Sequence, residues 1–332
     1  MAEKPLDREG ILDMAAGFQE ACVLGAAAEL DVFSLMGDEA LSVDQLADRL
    51  AADPRATAML LDALAALRLL DKQDGRYRVP AELAPWLIEN SPETTLPMLR
   101  HRMNILRGWS QLAWVVKAGI PGPRQASIRG PAGDRQAFVA AMHTVSGPNA
   151  DDVVARMGPL KFRHVLDVGG ASGTWTLALL RAVPGSRATI FDLPDAIGQA
   201  KARIAAGEFA DRITLAAGDF YVDDLPGGAD FAWVSAIVHQ HSRRHNRELF
   251  AKVYAALQPG GMIGIRDVVM DASRTQPAFG ALFAINMLVN TETGGTFTFE
   301  ELAEDLQAAG FADPQLQVKD EGMNSVVVAV KA

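Results

Sequence analysis

The chain of 332 residues holds one cysteine, Cys22. No intrachain disulfide is available to it, and a reducing, cytoplasmic setting is expected. Positive charge is also scarce. Lys and Arg number 31 against 41 Asp and Glu, for a formal net charge of −10. Such a surface opposes non-specific nucleic-acid binding, which needs cations against phosphates, so nucleic acid is not an expected partner. No run of about 18 apolar residues occurs, so no membrane span is expected. Met1 to Gly10 is charged and lacks an apolar signal-peptide core. Fixed-period repeats and low-complexity tracts are absent too. What the chain does have is apolar residues, 49% of the total, enough for a sizeable core in one large or two ordinary domains.

The first hundred residues read as helices followed by a hairpin. Ile11, Met14, Phe18, Ala21, Leu24 and Ala28 recur at helical spacing. Ser42 and Gln45 form a capping box for the next helix. Asp53-Pro54 supplies an N-cap and a first-turn proline for a third, apolar along Met59, Leu60, Leu64 and Leu67. Residues 69–79 then read as a hairpin around Asp74-Gly75. Together these make a winged helix. A groove-reading helix needs several basic or amide side chains, and Arg55 to Arg68 carries arginines only at its two ends. An apolar helix of this kind suits packing against another subunit.

Residues 96–158 read as a helical connector, with long pieces over Met98–Lys117 and Arg135–Met157 and a Gly/Pro-rich loop over Gly119–Gly133. From Lys161 strands and helices alternate, which predicts a mostly parallel sheet covered on both faces. The strand candidates are 164–168, 187–191, 212–216, 230–236 and 262–269. Thr298 and Glu301 cap a helix ending near Gly310, and the tail reads as two strands, 316–318 and 325–330, joined at Asp320–Gly322. The expected division is 1–95, 96–158 and 159–332.

Residues 164–176 carry the strongest local signal. The apolar run Val165, Leu166, Val168 ends in glycines, and a helix begins at once. Glycines let the backbone turn sharply and approach a ligand. The register of a dinucleotide fingerprint would be Val168-x-Gly170-x-x-Gly173, so its first glycine is missing. That disfavours a nicotinamide enzyme. In an open α/β sheet the ligand sits beyond the carboxyl ends of the strands. The first strand end offers Asp167, Gly169, Gly170 and Gly173. The second offers Asp192 and Leu193, about 20 residues past the glycine turn, where an acid can grip a ribose diol. The third offers Gly218, Asp219 and Phe220: an acceptor for an amine and a ring that can stack. The fourth offers Ser235 and, just beyond, His239. Taken singly, each acid also serves as a helix cap or a turn residue. Three acids at consecutive strand ends after a glycine turn point to a nucleoside-type cofactor.

The ordered set Asp167-x-Gly169-Gly170-x-x-Gly173, Phe191-Asp192-Leu193-Pro194, Gly218-Asp219-Phe220, Ile237-Val238-His239 and Gln258-Pro259-Gly260-Gly261 resembles the caffeate-type small-molecule O-methyltransferases of plants and bacteria. The resemblance covers essentially the whole chain. It implies a class I methyltransferase (Rossmann-like) α/β fold, doubly wound, with a reversed C-terminal hairpin behind a winged-helix dimerisation domain, hence a homodimer. It implies S-adenosylmethionine as donor, S-adenosylhomocysteine as product and no metal. The donor contacts map onto Asp167, Gly169, Asp192, Asp219, Phe220 and Ser235. His239 is the candidate base that takes the proton of an acceptor hydroxyl, with Asp267 as its carboxylate partner. Family members usually carry His-Asp-Trp where this chain has His239-Gln240-His241, and often a glutamate at the place of Thr296. Those departures keep methylation at carbon or nitrogen, or a non-methylating reaction on the same fold, as the alternative. A ligand-sensing regulator is the other rival.

The acceptor pocket is expected from Met103, Asn104, Trp109, Met142, His143, Ser146, Phe279, Phe283, Asn286, Met287 and Asn290. Asn286 and Asn290 lie one helical turn apart and share a face. Met14 or Phe18 of a second subunit can add to it. His239, His241 and His245 also have a spacing that invites a metal, but a helix beginning at Ser242 would turn His245 toward solvent.

Overall fold

The computed structural model describes residues 6–146, 149–170, 173–205 and 207–332, less the side chains of 139, 143–146, 199, 202 and 203. In chain order the first elements are α1 (Arg8–Ala16), α2 (Phe18–Glu29), α3 (Val32–Met36), β1 (Leu41–Ser42), α4 (Val43–Leu50), α5 (Pro54–Ala66), β2 (Asp71–Gln73), β3 (Arg76–Arg78) and α6 (Ala84–Leu87). Four helices follow: α7 (Leu96–Trp109), α8 (Leu112–Ala118), α9 (Gly130–Ser146) and α10 (Ala150–Arg156). The chain forms two compact units, Met1–Arg107 with Arg124–Thr144, and Gly108–Pro123 with Val145–Ala332.

The first unit contains the winged helix. Both halves of the Ser42–Gln45 capping box form, and Asp53 caps α5 by accepting from the Ala56 N–H at 2.8 Å. Asp74 and Gly75 both take positive φ, +50° and +74°, as a tight turn of the primed kind requires. β1 joins the hairpin in the order β1-β3-β2. Phe33, Met36, Leu46, Leu61 and Leu64 form the buried core of this unit. The first expected helix breaks at Gly17 into α1 and α2. α1 buries no residue, and Ile11, Leu12, Met14 and Phe18 are all exposed. Arg8–Glu29 is long and apolar enough, by length and composition, to cross a membrane. Charges such as Asp13 and Glu20 interrupt this stretch, so no unbroken apolar run marks it in the sequence.

The stretch expected as one connector is divided between the units. Arg129, just before α9, pairs with Asp31 at 2.5 Å and so joins the first unit. Residues 108–123 close on themselves, with Gln111 donating to the Pro123 carbonyl at 3.2 Å. The helix expected over Met98–Lys117 ends at Trp109 and resumes at Leu112, and α9 begins at Gly130, inside the stretch expected as loop.

The second unit is the α/β domain. Its remaining elements are β4 (His164–Val168), α11 (Thr174–Ala182), β5 (Arg187–Asp192), α12 (Pro194–Ala205), β6 (Ile213–Ala217), β7 (Ala229–Ser235), α13 (Arg243–Ala256), β8 (Leu257–Asp267), β9 (Val269–Met270), α14 (Ala278–Asn290), β10 (Phe297–Thr298), α15 (Phe299–Ala308), β11 (Phe311–Val318) and β12 (Ser325–Lys331). The seven-stranded sheet runs β11-β12-β8-β7-β4-β5-β6. β11 and β12 pair antiparallel and β12 pairs antiparallel with β8, while the other pairs are parallel. This is the doubly wound sheet with a reversed terminal hairpin. β8 starts five residues before the expected strand because Leu257 already pairs with Ala229, with a register shift before Met262 pairs with Phe231. The short parallel pair of β9 with β10 had no sequence signal.

The two sheet faces bury separate cores. Trp175, Leu179, Phe231 and Trp233 lie on the side of α10 and α11. Phe250, Val253, Leu302 and Leu306 lie on the side of α13 and α15. Burial of this many large apolar side chains is the main force holding the sheet between its helices.

Candidate active site

The carboxyl ends of β4 through β8 place most of the predicted residues along one edge. At the end of β4 the chain turns through Gly169 and Gly173, with φ +73° and +68°. A side chain at Gly169 would meet Ile237, and one at Gly170 would run into the Asp167 carboxyl. The Gly169 N–H donates to the Phe191 carbonyl at 2.8 Å, and the Gly218 N–H to the Asp192 carbonyl at 2.9 Å. These bonds tie the glycine turn to the end of β5 and the end of β5 to that of β6. Asp167, Gly169, Asp192, Gly218 and Asp219 are thereby fixed on adjacent strands.

Asp167 is buried and accepts from the Thr176 hydroxyl at 2.5 Å through Oδ2. Among the described residues its buried Oδ1 has no hydrogen-bond partner. Burial pushes this carboxyl up to about 7, with the neighbouring Asp192 adding to the rise and the Thr176 bond opposing it. A buried polar atom without a partner is costly. A donor-bearing ligand at the glycine turn would satisfy it, so the cradle fits a polar cofactor. Asp192 caps its own turn through the Leu193 N–H at 2.7 Å, and Leu193 is exposed. Asp219 accepts from the Tyr221 N–H at 2.9 Å. The turn roles allowed for these acids are therefore real.

Past β7 the chain reverses at Ala236, with φ +57°, and the 3-10 turn Val238–Gln240 tucks His239 inward. His239 Nδ1 lies 2.8 and 2.9 Å from the two oxygens of Asp267. The Asp267 carboxyl also accepts from the Val268 N–H at 2.8 Å. It is almost wholly buried. A carboxylate at Nδ1 favours the tautomer with its proton there, leaving Nε2 as the basic nitrogen. The Phe283 ring packs edge-on against the imidazole at 4.9 Å, and Phe279 stacks on Phe283. The Gly295 N–H donates to the His239 carbonyl at 2.9 Å, so the loop before Thr296 holds the backbone of the histidine. Nothing in the sequence signalled that contact.

The three histidines do not converge. His241 Nδ1 bonds the Tyr221 hydroxyl, and His245 meets Ser242 at 3.2 Å. Burial, with His245 and His239 nearby, lowers His241 to about 4. Among the described residues no group of three or more His, Cys, Asp or Glu is placed to hold a metal ion. Phe220, Tyr221, His241, His245 and Lys252 line a cavity of about 230 Å³, so Phe220 has open space beside it.

The expected acceptor residues fall in both units. In the first, Met103 packs against Gly25, Asn104 accepts from Arg107 at 2.7 Å, and Met142 is half-buried. The side chains of His143 and Ser146 lie outside the described residues. In the second, the Trp109 indole donates to Asn286 Oδ1 at 3.1 Å, and Asn290 Nδ2 donates to the same oxygen at 3.1 Å. The amide pair on α14 is therefore used within the protein, and Met287 is buried beside it. Sequence reasoning also missed Arg266, a buried cation bonded to Ser235. Its one signal is a cation directly after the apolar run Met262-Ile263-Gly264-Ile265, beside Asp267.

Comparison with known proteins bears on this arrangement. Residues 104–312 match the O-methyltransferase domain, and residues 12–90 match the O-methyltransferase dimerisation domain. The chain is 31% identical to the 3-hydroxy-5-methyl-1-naphthoate 3-O-methyltransferase of Streptomyces sahachiroi, over 97% of this chain and 95% of that protein. It is 30% identical to the tetracenomycin polyketide synthesis 8-O-methyl transferase TcmO of Streptomyces glaucescens, over 91% of each. The structure of human N-acetylserotonin methyltransferase in complex with S-adenosylmethionine superposes with a TM-score of 0.82 at 28% identity, covering 100% of this chain and 99% of that one.

Proposed function

The chain belongs to the O-methyltransferase family, which uses S-adenosylmethionine as methyl donor, and on that premise we propose that it methylates a hydroxyl of a small aromatic or polyketide-like metabolite, with His239 as the base. The observation that carries the base assignment is the buried contact of His239 Nδ1 with Asp267 at 2.8 Å. S-adenosylmethionine supplies an electrophilic methyl group on a sulfonium sulfur. A neutral phenol is a weak nucleophile, so a proton acceptor beside it speeds the transfer. Asp267 holds the imidazole in one orientation and stabilises the charge it gains. Phe283 walls the imidazole on one side and limits water there.

The donor-binding residues are Asp167, Gly169, Gly170, Gly173, Asp192, Leu193, Gly218, Asp219, Phe220 and Ser235. The glycines let the backbone come close, the acids accept from donor groups on the ribose and base, and Phe220 offers a ring for stacking. Met103, Asn104, Trp109, Met142, His143, Ser146, Phe283, Asn286, Met287 and Asn290 are the acceptor side. Asn286 acts there by placing Trp109, not by its own free amide. The substrate class is supported by the aromatic and polyketide acceptors named for the two bacterial relatives.

The functional form is a cytoplasmic homodimer joined through the dimerisation domain. The match of residues 12–90 and the exposed Ile11, Leu12, Met14 and Phe18 support that reading. A second copy covers an apolar helix, α1, that buries no residue among the described residues. In this arrangement 1–95 serves dimerisation and 159–332 binds the donor.

The test is mass-spectrometric detection of methyl ethers from a panel of phenols and hydroxylated polyketides, for the intact protein and His239→Ala. The expected result is ether formation that drops about a hundredfold or more in the variant, with donor affinity kept. Equal rates in both would remove His239 as base. Products methylated at carbon or nitrogen would replace the hydroxyl acceptor.

A further inference from the structure

Arg266 is a buried cation without an anionic partner among the described residues. It neighbours Asp267 on β8, but successive strand residues point to opposite faces, and Arg266 faces α11. It is 3% exposed. Its Nη1 donates to Ser235 Oγ at 3.1 Å. Its Nε and Nη2 donate to Asn324 Oδ1 at 2.9 and 2.7 Å. The guanidinium lies 4.3 Å from the centroid of the Trp175 ring. All of these partners are neutral. Burial accordingly draws its pKa down to about 10. The carboxylates of Asp267 and Asp320 oppose that fall through space without bonding it, and a buried charge with no bonded counter-ion is expensive to keep.

Ser235 links this cation to the strand ends. It lies one step beyond the Val168–Val234 pair, level with Gly169, and pairs in register with Arg266. Its oxygen accepts from Arg266, so its hydrogen remains as a donor. No described residue accepts that hydrogen. On the same face, Asp167 on β4 bonds Thr176 of α11 and keeps Oδ1 without a partner. An unpaired acid and an unpaired cation thus flank β7 on one side of the sheet. That arrangement suits a zwitterion.

We propose that Arg266 is a positioning residue for the amino-acid end of the methyl donor: it holds Ser235 so that the hydroxyl donates to the donor's carboxylate, and its buried charge favours that carboxylate. The inference rests on the proposed donor contact of Ser235. Asp167 takes the ammonium at the other side.

The experiment compares two ligands by calorimetry. S-adenosylhomocysteine carries the amino-acid end, and 5′-methylthioadenosine has the same nucleoside and thioether without it. Each is titrated into the intact protein, Arg266→Leu, Arg266→Lys and Ser235→Ala. Arg266→Leu is expected to weaken S-adenosylhomocysteine about tenfold or more, the range of a charge-assisted bond, and to leave 5′-methylthioadenosine within about threefold. Arg266→Lys recovers part of the loss. Ser235→Ala lowers the same preference with the guanidinium intact, and it decides the matter if Arg266→Leu does not fold. Equal weakening of both ligands marks Arg266 as structural and overturns the proposal, as does an unchanged preference. If the intact protein binds neither ligand, the donor-site reading itself fails and takes the proposal with it.

Discussion

His239, in the turn after β7, faces Asp267 at the end of β8, with Nδ1 2.8 Å from Oδ1 and both side chains buried. β7 and β8 are parallel neighbours, so the 3-10 turn after one strand comes back over the end of the other. The carboxylate fixes which nitrogen of the imidazole is basic. Asp267→Asn keeps the size but loses the charge and permits the wrong tautomer. Turnover should fall about tenfold to a hundredfold, and the same substitution should add little in a chain that already carries His239→Ala. Single-turnover rates of the two single variants and the double variant check this. Full additivity would mean that the residues act separately.

Asp167 gives the protein without donor an acid-side stability preference. The unfolded carboxyl loses its proton near 3.8 and the folded one at about 7. Between those values the folded state holds more protons, so its contribution is full below 3.8, fades as pH rises and is gone above about 7. Melting temperatures from about pH 5 to pH 8 should fall more steeply for the intact protein than for Asp167→Asn, which cannot titrate. Parallel curves would assign the slope to another group.

The exposed apolar residues of α1 and α2 make the dimer sensitive to charge. Leu12→Asp with Phe18→Asp places two carboxylates where a second copy is expected. Light scattering should show the intact protein at twice the chain mass and the double variant at one. An intact protein at one chain mass would remove the dimer.

Asn286 serves Trp109 and Asn290 at once. Asn286→Leu leaves the Trp109 indole without its acceptor, at a cost of about 1–3 kcal/mol, while Asn290 Nδ2 keeps the backbone carbonyl of residue 286. A lowered melting temperature with nearly unchanged donor affinity is expected. A variant as stable as the intact protein, with a changed acceptor preference, would return Asn286 to direct acceptor recognition.

The legible part of this protein was local. Ser42 with Gln45, Asp53 with Pro54 and Thr298 with Glu301 mark helix starts because the bonds span only three residues. Asp74-Gly75 marks a turn because glycine and aspartate tolerate positive φ. The central strands showed as apolar runs, and Asp167, Asp192, Asp219 and His239 could be picked out because the ends of parallel strands are where ligands meet such a sheet. The sequence by itself determined these elements and their order.

Tertiary structure decided the rest, because the deciding contacts join residues far apart in the chain. Asn286 looked like a ligand-binding amide until Trp109, 177 residues away, took its oxygen. The connector divided because Arg129 reaches Asp31 across 98 positions. Nothing in the sequence marks Arg266 as a partner of Ser235, and only the pairing of β7 with β8 sets the two together. Periodicity reports which face a side chain takes, but not what stands opposite it. Distance-dependent interactions such as charge and hydrogen bonding are settled only when the sheet has brought both partners together.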